Sequence, residues 1–236
     1  MMQLIKAASR NAARTGIILL IFALTATAFL VFTFTQTQPA IERSQQAKTL
    51  ALLGQVLPPA LYDNDLLDSQ KSMPPDELLG TRQPSSMWVA RRGEAITAVV
   101  LEAIAPDGYK GNIHLLVGID IDGKLTGVRV TAHTETPGLG DYIERSKNPW
   151  IDQFVGKSLL EPDARHWKVA KDGGHFDARA GATITPRAVV KAVKRALEYF
   201  AQHRAALVAP PPKAAPAAKP AAPAKPETPA KETPAS

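Results

Sequence analysis

The sequence predicts an α+β fold in which helices pack on an antiparallel β-sheet, preceded by one N-terminal transmembrane helix. Three observations lead to this prediction. An uncharged apolar run stands near the N-terminus, strand-like segments separated by glycine-containing turns fill the middle, and helical segments flank them. With 236 residues, the chain is long enough for one folded domain with an appendage at each end.

Residues 16–36 form the predicted transmembrane helix. The stretch from 16 to 34 carries no charge and matches the ~20 residues that cross a bilayer. Before it, residues 1–15 carry three basic residues and no acidic one, which predicts a cytoplasmic N-terminus and a main domain on the far side. A cleaved secretory signal is the alternative, but the apolar run is long for one and residues 35–39 do not resemble a cleavage site.

Residues 37–85 are expected to form a membrane-proximal helix and then a loop. Residues 40–57 carry apolar side chains mostly at three- and four-residue spacing, which indicates a helix that continues or closely follows the membrane span. Pro58 and Pro59 end it, because proline cannot continue the hydrogen-bond pattern of a helix. Residues 63–84 are polar, contain proline and show no strong period, so we expect them to be mostly irregular.

Residues 86–205 are expected to form the folded domain around an antiparallel meander. The predicted strands are Met87–Ala90, Ala95–Ala103, His114–Asp120 and Leu125–Thr131. Asp122-Gly123, between the last two strands, is a strong hairpin signal. A short helix is expected within 150–160, and a further strand is expected to begin at 167–169.

The domain is predicted to end with a basic amphipathic helix. Thr185 is a suitable N-cap because its hydroxyl can accept a hydrogen bond from the first turn, and Pro186 fits the first helical position. Apolar residues then recur on one face to about Ala201. The mixture of this helix with the meander supports the α+β prediction.

The remaining residues, 206–236, are expected to form a disordered tail. From Pro210 the chain is almost entirely Ala, Pro, Lys, Glu and Thr, with too little apolar surface to offset the entropy of ordering. The formal net charge of +6 sits mainly in this tail and the N-terminal flank, which argues against a nucleic-acid-binding domain. The absence of cysteine excludes disulfides, thiolate metal sites and cysteine-ligated iron–sulfur clusters.

The first candidate site is the segment from Asp177 to Thr183. Gly181 permits tight backbone geometry, Ala182 adds little bulk, and the predicted helix start supplies unpaired N–H groups and a dipole that favour an anion. The Thr183 hydroxyl could therefore carry a phosphate ester, with Asp177 close enough to assist its transfer or to hold the turn. From these residues alone, an ordinary capped helix after a glycine turn is the simpler interpretation.

The second candidate site is the segment from His133 to Asp141, which follows the hairpin. Pro137-Gly138 fixes a tight turn and Gly140 permits another, so that a flat ring could approach the backbone. The side chains that the segment presents are Thr134, Glu135 and Thr136. Its histidine and carboxylates match the spacing of no closed metal site, and it lacks the strand–loop–helix setting of a dinucleotide or phosphate-binding loop.

Together, the two segments resemble the G subunit of the Rnf/Rsx ion-translocating electron-transport complex, a family with a covalent FMN-binding domain. The similar stretches include Ala105–Tyr109, His133–Asp141, Lys171–Gly174 and Gly181–Val190. The resemblance implies a single-pass protein of the bacterial inner membrane whose FMN-binding domain faces the periplasm. It also implies that the protein relays electrons among neighbouring membrane subunits and does not turn over a free substrate.

The resemblance also implies how FMN is held. A flavin transferase would attach FMN to Thr183 by a phosphodiester, and Asp177, Gly181 and Ala182 would be recognised by that enzyme. The expected cofactor-binding residues are Thr134, Glu135, Thr136, Gly138, Leu139, Gly181, Ala182, Ile184 and Thr185. The family usually has Ser or Thr where this chain has Ala180, which puts the strength of recognition by the transferase in doubt.

Three other functions remain as alternatives. The FMN-bearing C subunit of the sodium-translocating NADH:quinone reductase has the same chemistry in another complex, but the short chain and the 133–141 segment favour the Rnf/Rsx type. A cofactor-free periplasmic interaction protein would need its tail, whereas a flavin protein should tolerate truncation after about Ala209. A free-standing flavin reductase would need a nicotinamide site, for which the sequence offers no candidate.

Overall fold

A computed structural model describes the backbone of residues 2–208 and the side chains from residue 14 onward. The helices are α1, Met2–Val56, and α2, Ile184–Leu207; the strands are β1, Lys71–Met73, β2, Ser85–Arg92, β3, Ala95–Ala105, β4, Ile113–Asp120, and β5, Leu125–Ala132. Short 3₁₀ helices occupy Pro59–Leu61, Asp141–Ile143, Pro149–Phe154 and Ala170–Asp172. The predicted α+β fold is confirmed. The tail expected from residue 206 begins within α2, and its part beyond residue 208 lies outside the described residues.

The five strands form one antiparallel sheet in the order β1-β2-β3-β4-β5. The four predicted strands are all present, and Gly123 in the turn between β4 and β5 has φ +82°, as the hairpin signal requires. Strand β1 was not predicted, because it lies within residues 63–84, which were expected to be mostly irregular. It pairs with Ser85–Met87 of β2. Three residues are too few to show the alternation by which a strand is recognised.

The two faces of the sheet are covered by different helices. The main core lies between the sheet and α2, whose apolar stripe includes Val189, Val193 and Leu197. On the opposite face, the end of α1 packs in a second cluster. The residues of this cluster are Leu53, Val56, Leu57, Leu66, Trp88, Ala90, Ala98, Val100 and Leu116. The sheet is therefore buried on both faces where α1 crosses it.

Three expectations about the second half of the chain are wrong. The short helix expected within 150–160 is present as a 3₁₀ helix, Pro149–Phe154, whereas the strand expected to begin at 167–169 is reduced to one bridge between Val169 and Phe176. The N-cap of α2 is Thr183 and not Thr185. The helix also continues beyond Ala201 to Leu207, whose side chain is buried against the main core and so extends the packed face.

The membrane-proximal helix is the direct continuation of the apolar helix, because α1 runs without interruption through Pro39. Large apolar side chains between Ile17 and Phe34 are more than half exposed, as expected for a helix surrounded by lipid. Among the described residues, α1 is the one helix long and apolar enough to cross a membrane. About 19 helical residues separate Phe34 from Leu53, the first residue buried in the domain, which corresponds to roughly 28 Å.

The contacts of α1 fix which end of the domain points toward the anchor. Val56 lies against Gly127 of β5, and a Cβ at Gly127 would stand 2.8 Å from the Val56 carbonyl oxygen. One residue earlier, Gln55 Oε1 accepts a hydrogen bond from Arg129 Nε at 3.1 Å. Earlier still, Leu52 lines a groove with residues 130–133. Helix α1 therefore runs antiparallel to β5, and it leaves the domain past the end of β5.

Candidate functional site

A cavity of about 290 Å³ lies where the two candidate segments meet. It is lined by Tyr109, Glu135, Thr136, Leu139, Gly140, Gly181, Ala182, Thr183, Ile184 and Thr185. The turn after β3, the loop after β5 and the start of α2 supply these residues, so the cavity lies at the end of the domain that α1 passes on its way to the anchor. Two expected cofactor-binding residues, Thr134 and Gly138, do not line it. Thr134 donates instead to the Lys110 carbonyl at 3.1 Å.

The rim of this cavity is apolar and exposed. Tyr109, Leu139 and Ile184 are 63%, 49% and 47% exposed, although large apolar side chains in a soluble domain usually lie inside. A larger cavity of about 550 Å³, between residues 80–84 and the first half of β4, has no such exposed apolar side chain in its wall. An exposed apolar rim is suited to a flat aromatic ligand, which favours the smaller cavity as the site.

Thr183 lies at the base of the cavity as the N-cap of α2. Its hydroxyl makes no capping hydrogen bond, and its side chain is partly exposed. The N–H groups of Thr183, Ile184 and Thr185 have no acceptor among the described residues, as is usual at the start of a helix. Gly181, at φ +85°, makes the turn that leads into the helix. A free hydroxyl and several free donors therefore converge beside an apolar rim.

Three side chains that the sequence did not single out hold the backbone of the turn before Thr183. The indole Nε1 of Trp150 donates to the Asp177 carbonyl at 2.7 Å, and the Asp177 N–H donates to Gln153 Oε1 at 2.9 Å. The Tyr142 hydroxyl accepts the Arg179 N–H at 3.2 Å, and burial raises the pKa of this phenol. Tyr142 and Trp150 also touch edge to face, with ring centroids 5.5 Å apart.

Only the core role of Trp150 could be expected from the sequence. The tryptophan is buried, and its indole N–H reaches a backbone carbonyl 27 residues away. The carboxylate-bearing residue Asp177 is exposed and does not line the cavity. It borders a neighbouring groove of about 430 Å³, together with Trp150 and Arg179.

Glu135 is the buried charged residue of the cavity wall, with 4% of its surface exposed. Its Oε1 accepts the Lys110 N–H at 2.9 Å, and its Oε2 accepts the Thr185 hydroxyl. This second bond explains why Thr185 is not the N-cap, since its side chain is directed to a residue 50 positions earlier. The Glu135 N–H in turn donates to His133 Nδ1 at 3.0 Å.

A second polar network lies behind the 133–141 loop. His133 Nε2 is 2.7 Å from Glu144 Oε1, and Lys147 Nζ lies 2.9 Å from both Glu144 and Asp141. The hydrogen bonds from Lys147 lower the pKa of both carboxyl groups, and Asp141 chiefly raises the pKa of Lys147. His133 pairs with Glu144 and Asp141 pairs with Lys147. The described part of the chain contains no group of three side chains that could hold a metal ion.

Comparison with known proteins identifies the family. Residues 108–198 match the FMN-binding domain family, and residues 1–56 match the RnfG N-terminal region. A protein of Pseudomonas aeruginosa, named as the G subunit of an ion-translocating oxidoreductase complex, is 50% identical over 206 residues, which cover 86% of this chain and 95% of that protein. The protein of the same name in Shewanella oneidensis is 46% identical over 198 residues, which cover 84% of this chain and 93% of that protein. This chain belongs to the RnfG family.

As a member of the RnfG family, the chain is a membrane-anchored flavoprotein subunit of a multi-subunit electron-transport complex. The geometry of the cavity fits FMN: the apolar rim suits the flavin ring, and the free N–H groups at the start of α2 suit its phosphate. The two relatives match this chain over nearly their whole length, and both are named for the ion-translocating oxidoreductase complex. This favours that complex over the sodium-translocating NADH:quinone reductase.

Proposed function

We propose that this member of the RnfG family carries FMN covalently on Thr183 and passes electrons through it to and from neighbouring membrane subunits. The observation that carries the proposal is the Thr183 hydroxyl, which makes no capping hydrogen bond, stands beside three free N–H donors and faces a cavity with an apolar rim. In the attachment step, the Thr183 oxygen attacks the FMN phosphorus of FAD. A phosphodiester forms, the diphosphate bond breaks, AMP leaves, and the hydroxyl proton goes to solvent.

Each part of the chain has a distinct role in this proposal. The first-turn N–H groups of α2 would hold the phosphate, and the exposed apolar side chains of Tyr109, Leu139 and Ile184 would pack against the ring. FMN supplies the redox chemistry, because it can take up two electrons and release them singly. Glu135, Thr136 and Thr185 form the remaining wall. A flavin transferase is the partner required for attachment, with Asp177 on the exposed side of the turn as part of its recognition site.

The direction of α1 supports relay to membrane subunits. The cavity lies at the end of the domain past which α1 leaves for the anchor, so a ring in this cavity lies on the membrane-facing side. We propose further that the folded domain lies in the periplasm, because the basic flank before the span should remain in the cytoplasm. Since the chain has no native cysteine, single-cysteine variants test the orientation cleanly. An impermeant maleimide added to intact spheroplasts should label Leu160→Cys and leave Ser9→Cys unlabelled; the reverse pattern would refute the orientation.

Covalent attachment is tested by expressing the full chain with a flavin transferase and examining denatured protein. The wild type should keep yellow-green flavin fluorescence in a denaturing gel, and Thr183→Val, which retains the shape of threonine without its hydroxyl, should lose it. Ala180→Ser restores the hydroxyl that the family usually has at this position and should raise the rate of attachment without changing the site. Fluorescence retained by Thr183→Val would exclude Thr183 as the attachment point.

A further inference from the structure

The charge on Glu135 has no counterpart in the cavity. Its carboxylate is buried, and both oxygens accept hydrogen bonds, one from the Lys110 N–H and the other from the Thr185 hydroxyl. This is the arrangement of an ionised carboxylate, which can only accept. Whereas Glu144 and Asp141 both pair with Lys147, Glu135 has no ion-pair partner among the described side chains.

The surrounding backbone keeps this carboxylate in place. A Cβ at Gly108 would stand 3.0 Å from Glu135 Oε1, and a Cβ at Gly140 would stand 3.0 Å from Oε2. Two glycines therefore allow the turn after β3 and the loop after β5 to approach the carboxylate closely, one at each oxygen. Because Thr185 belongs to the first turn of α2, Glu135 joins all three segments of the cavity wall.

We propose that Glu135 lowers the midpoint potential of the flavin by placing a fixed negative charge in the wall of its cavity. The inference rests on the proposed function. Each electron added to a flavin ring adds negative charge, and a buried anion nearby disfavours that charge. Two unit charges ~10 Å apart at an effective dielectric constant of ~20 interact strongly enough to change an equilibrium constant roughly tenfold.

The test compares variants of the full-length flavinylated protein by spectroelectrochemical titration. Glu135→Gln removes the charge and keeps both hydrogen bonds, because the amide oxygen can accept from Lys110 and the amide N–H can donate to a rotated Thr185 hydroxyl. In Glu135→Gln protein whose measured flavin content and melting temperature match those of the wild type, we expect the midpoint potential to rise. A roughly tenfold change corresponds to about 30 mV for a two-electron couple or 59 mV for a one-electron couple. The matched control is Glu144→Gln, a carboxylate already paired with Lys147, which should shift the potential by much less.

An unchanged potential in a Glu135→Gln protein that keeps its flavin and its melting temperature would overturn the proposal. If Glu135→Gln does not fold, Glu135→Asp and Glu135→Asn provide the same comparison, since they share the shortened chain and differ only in charge; equal potentials in this pair would also overturn it. A wild-type protein without covalent flavin would instead refute the proposed function, and would be recognised before any variant is titrated.

Discussion

Replacing Gly140 by alanine should destabilise the domain, even though the backbone would accept the new side chain without strain. Gly140 has φ −88° and ψ −18°, in the right-handed helical region. On backbone grounds alone, the substitution would stabilise the protein by about 0.4–1 kcal/mol, because alanine restricts the unfolded chain. A Cβ would, however, stand 2.9 Å from Thr185 Oγ1, 3.0 Å from Glu135 Oε2 and 3.1 Å from Glu135 Cβ.

The magnitude follows from what these three atoms can do. Glu135 and Thr185 are both buried and bonded to each other, so neither can move away without breaking a hydrogen bond. Overpacking of this kind costs about 1–3 kcal/mol against a backbone gain of about 0.4–1 kcal/mol, so the mid-range values leave a net loss of roughly 1 kcal/mol. For a domain of this size, the melting temperature should fall by about 2–4 °C per kcal/mol.

Intrinsic fluorescence is a suitable assay, because the three tryptophans are all buried in the folded domain and none lies in the anchor. The matched control is Gly54→Ala, in the last turn of α1, where a Cβ would meet nothing within 4 Å. That substitution should stabilise the helix by up to about 1 kcal/mol. The two substitutions should therefore change the stability in opposite directions, with Gly140→Ala lowering it and Gly54→Ala raising it. A Gly140→Ala protein as stable as the wild type would refute the packing described around Glu135.

Three further predictions concern the turn, the pH dependence and the tail. Trp150→Phe removes the hydrogen bond to the Asp177 carbonyl, so it should cost about 0.5–1.5 kcal/mol and speed tryptic cleavage after Arg179 in folded, unmodified protein; unchanged cleavage would show that the indole does not hold the turn. The folded-state pKa of Glu144 is lowered, so its stabilising contribution is present above pH ~4.5 and is lost as the pH falls further. Thermal melts at pH ~3–7 measure this pH dependence of stability, and Lys147→Met should weaken it. Truncation after Ala209 should leave flavin content and the co-purification of partner subunits unchanged, and loss of either would favour the alternative interaction protein.

The sequence was most informative where structure is local. Alternation and the Asp122-Gly123 turn are properties of neighbouring residues, and they located β2 to β5 correctly. The two candidate segments were also found locally, since their glycines and threonines are unusual in composition. Strand β1 escaped because its three residues are ordered by pairing with β2 and not by a pattern of their own.

The parts of the site that could not be predicted all depend on contacts between distant segments. Thr185 is a good N-cap by type, but its hydroxyl is taken by Glu135, and Thr183 holds the N-cap position instead. Trp150 and Tyr142 hold the turn by hydrogen bonds to residues 27 and 37 positions later in the chain. Tyr109 belongs to one of the stretches that resemble the family, yet only the fold shows that its exposed ring borders the cavity.

The central claim is one bond between Thr183 and FMN, and peptide mass spectrometry tests it directly. Trypsin should cut after Arg179 and Arg187 and release residues 180–187, which contain both Thr183 and Thr185. From protein expressed with a flavin transferase, this peptide should carry the mass of FMN less one water, and fragmentation should assign the mass to Thr183. An unmodified peptide, or fragments that assign the flavin to Thr185, would contradict the account.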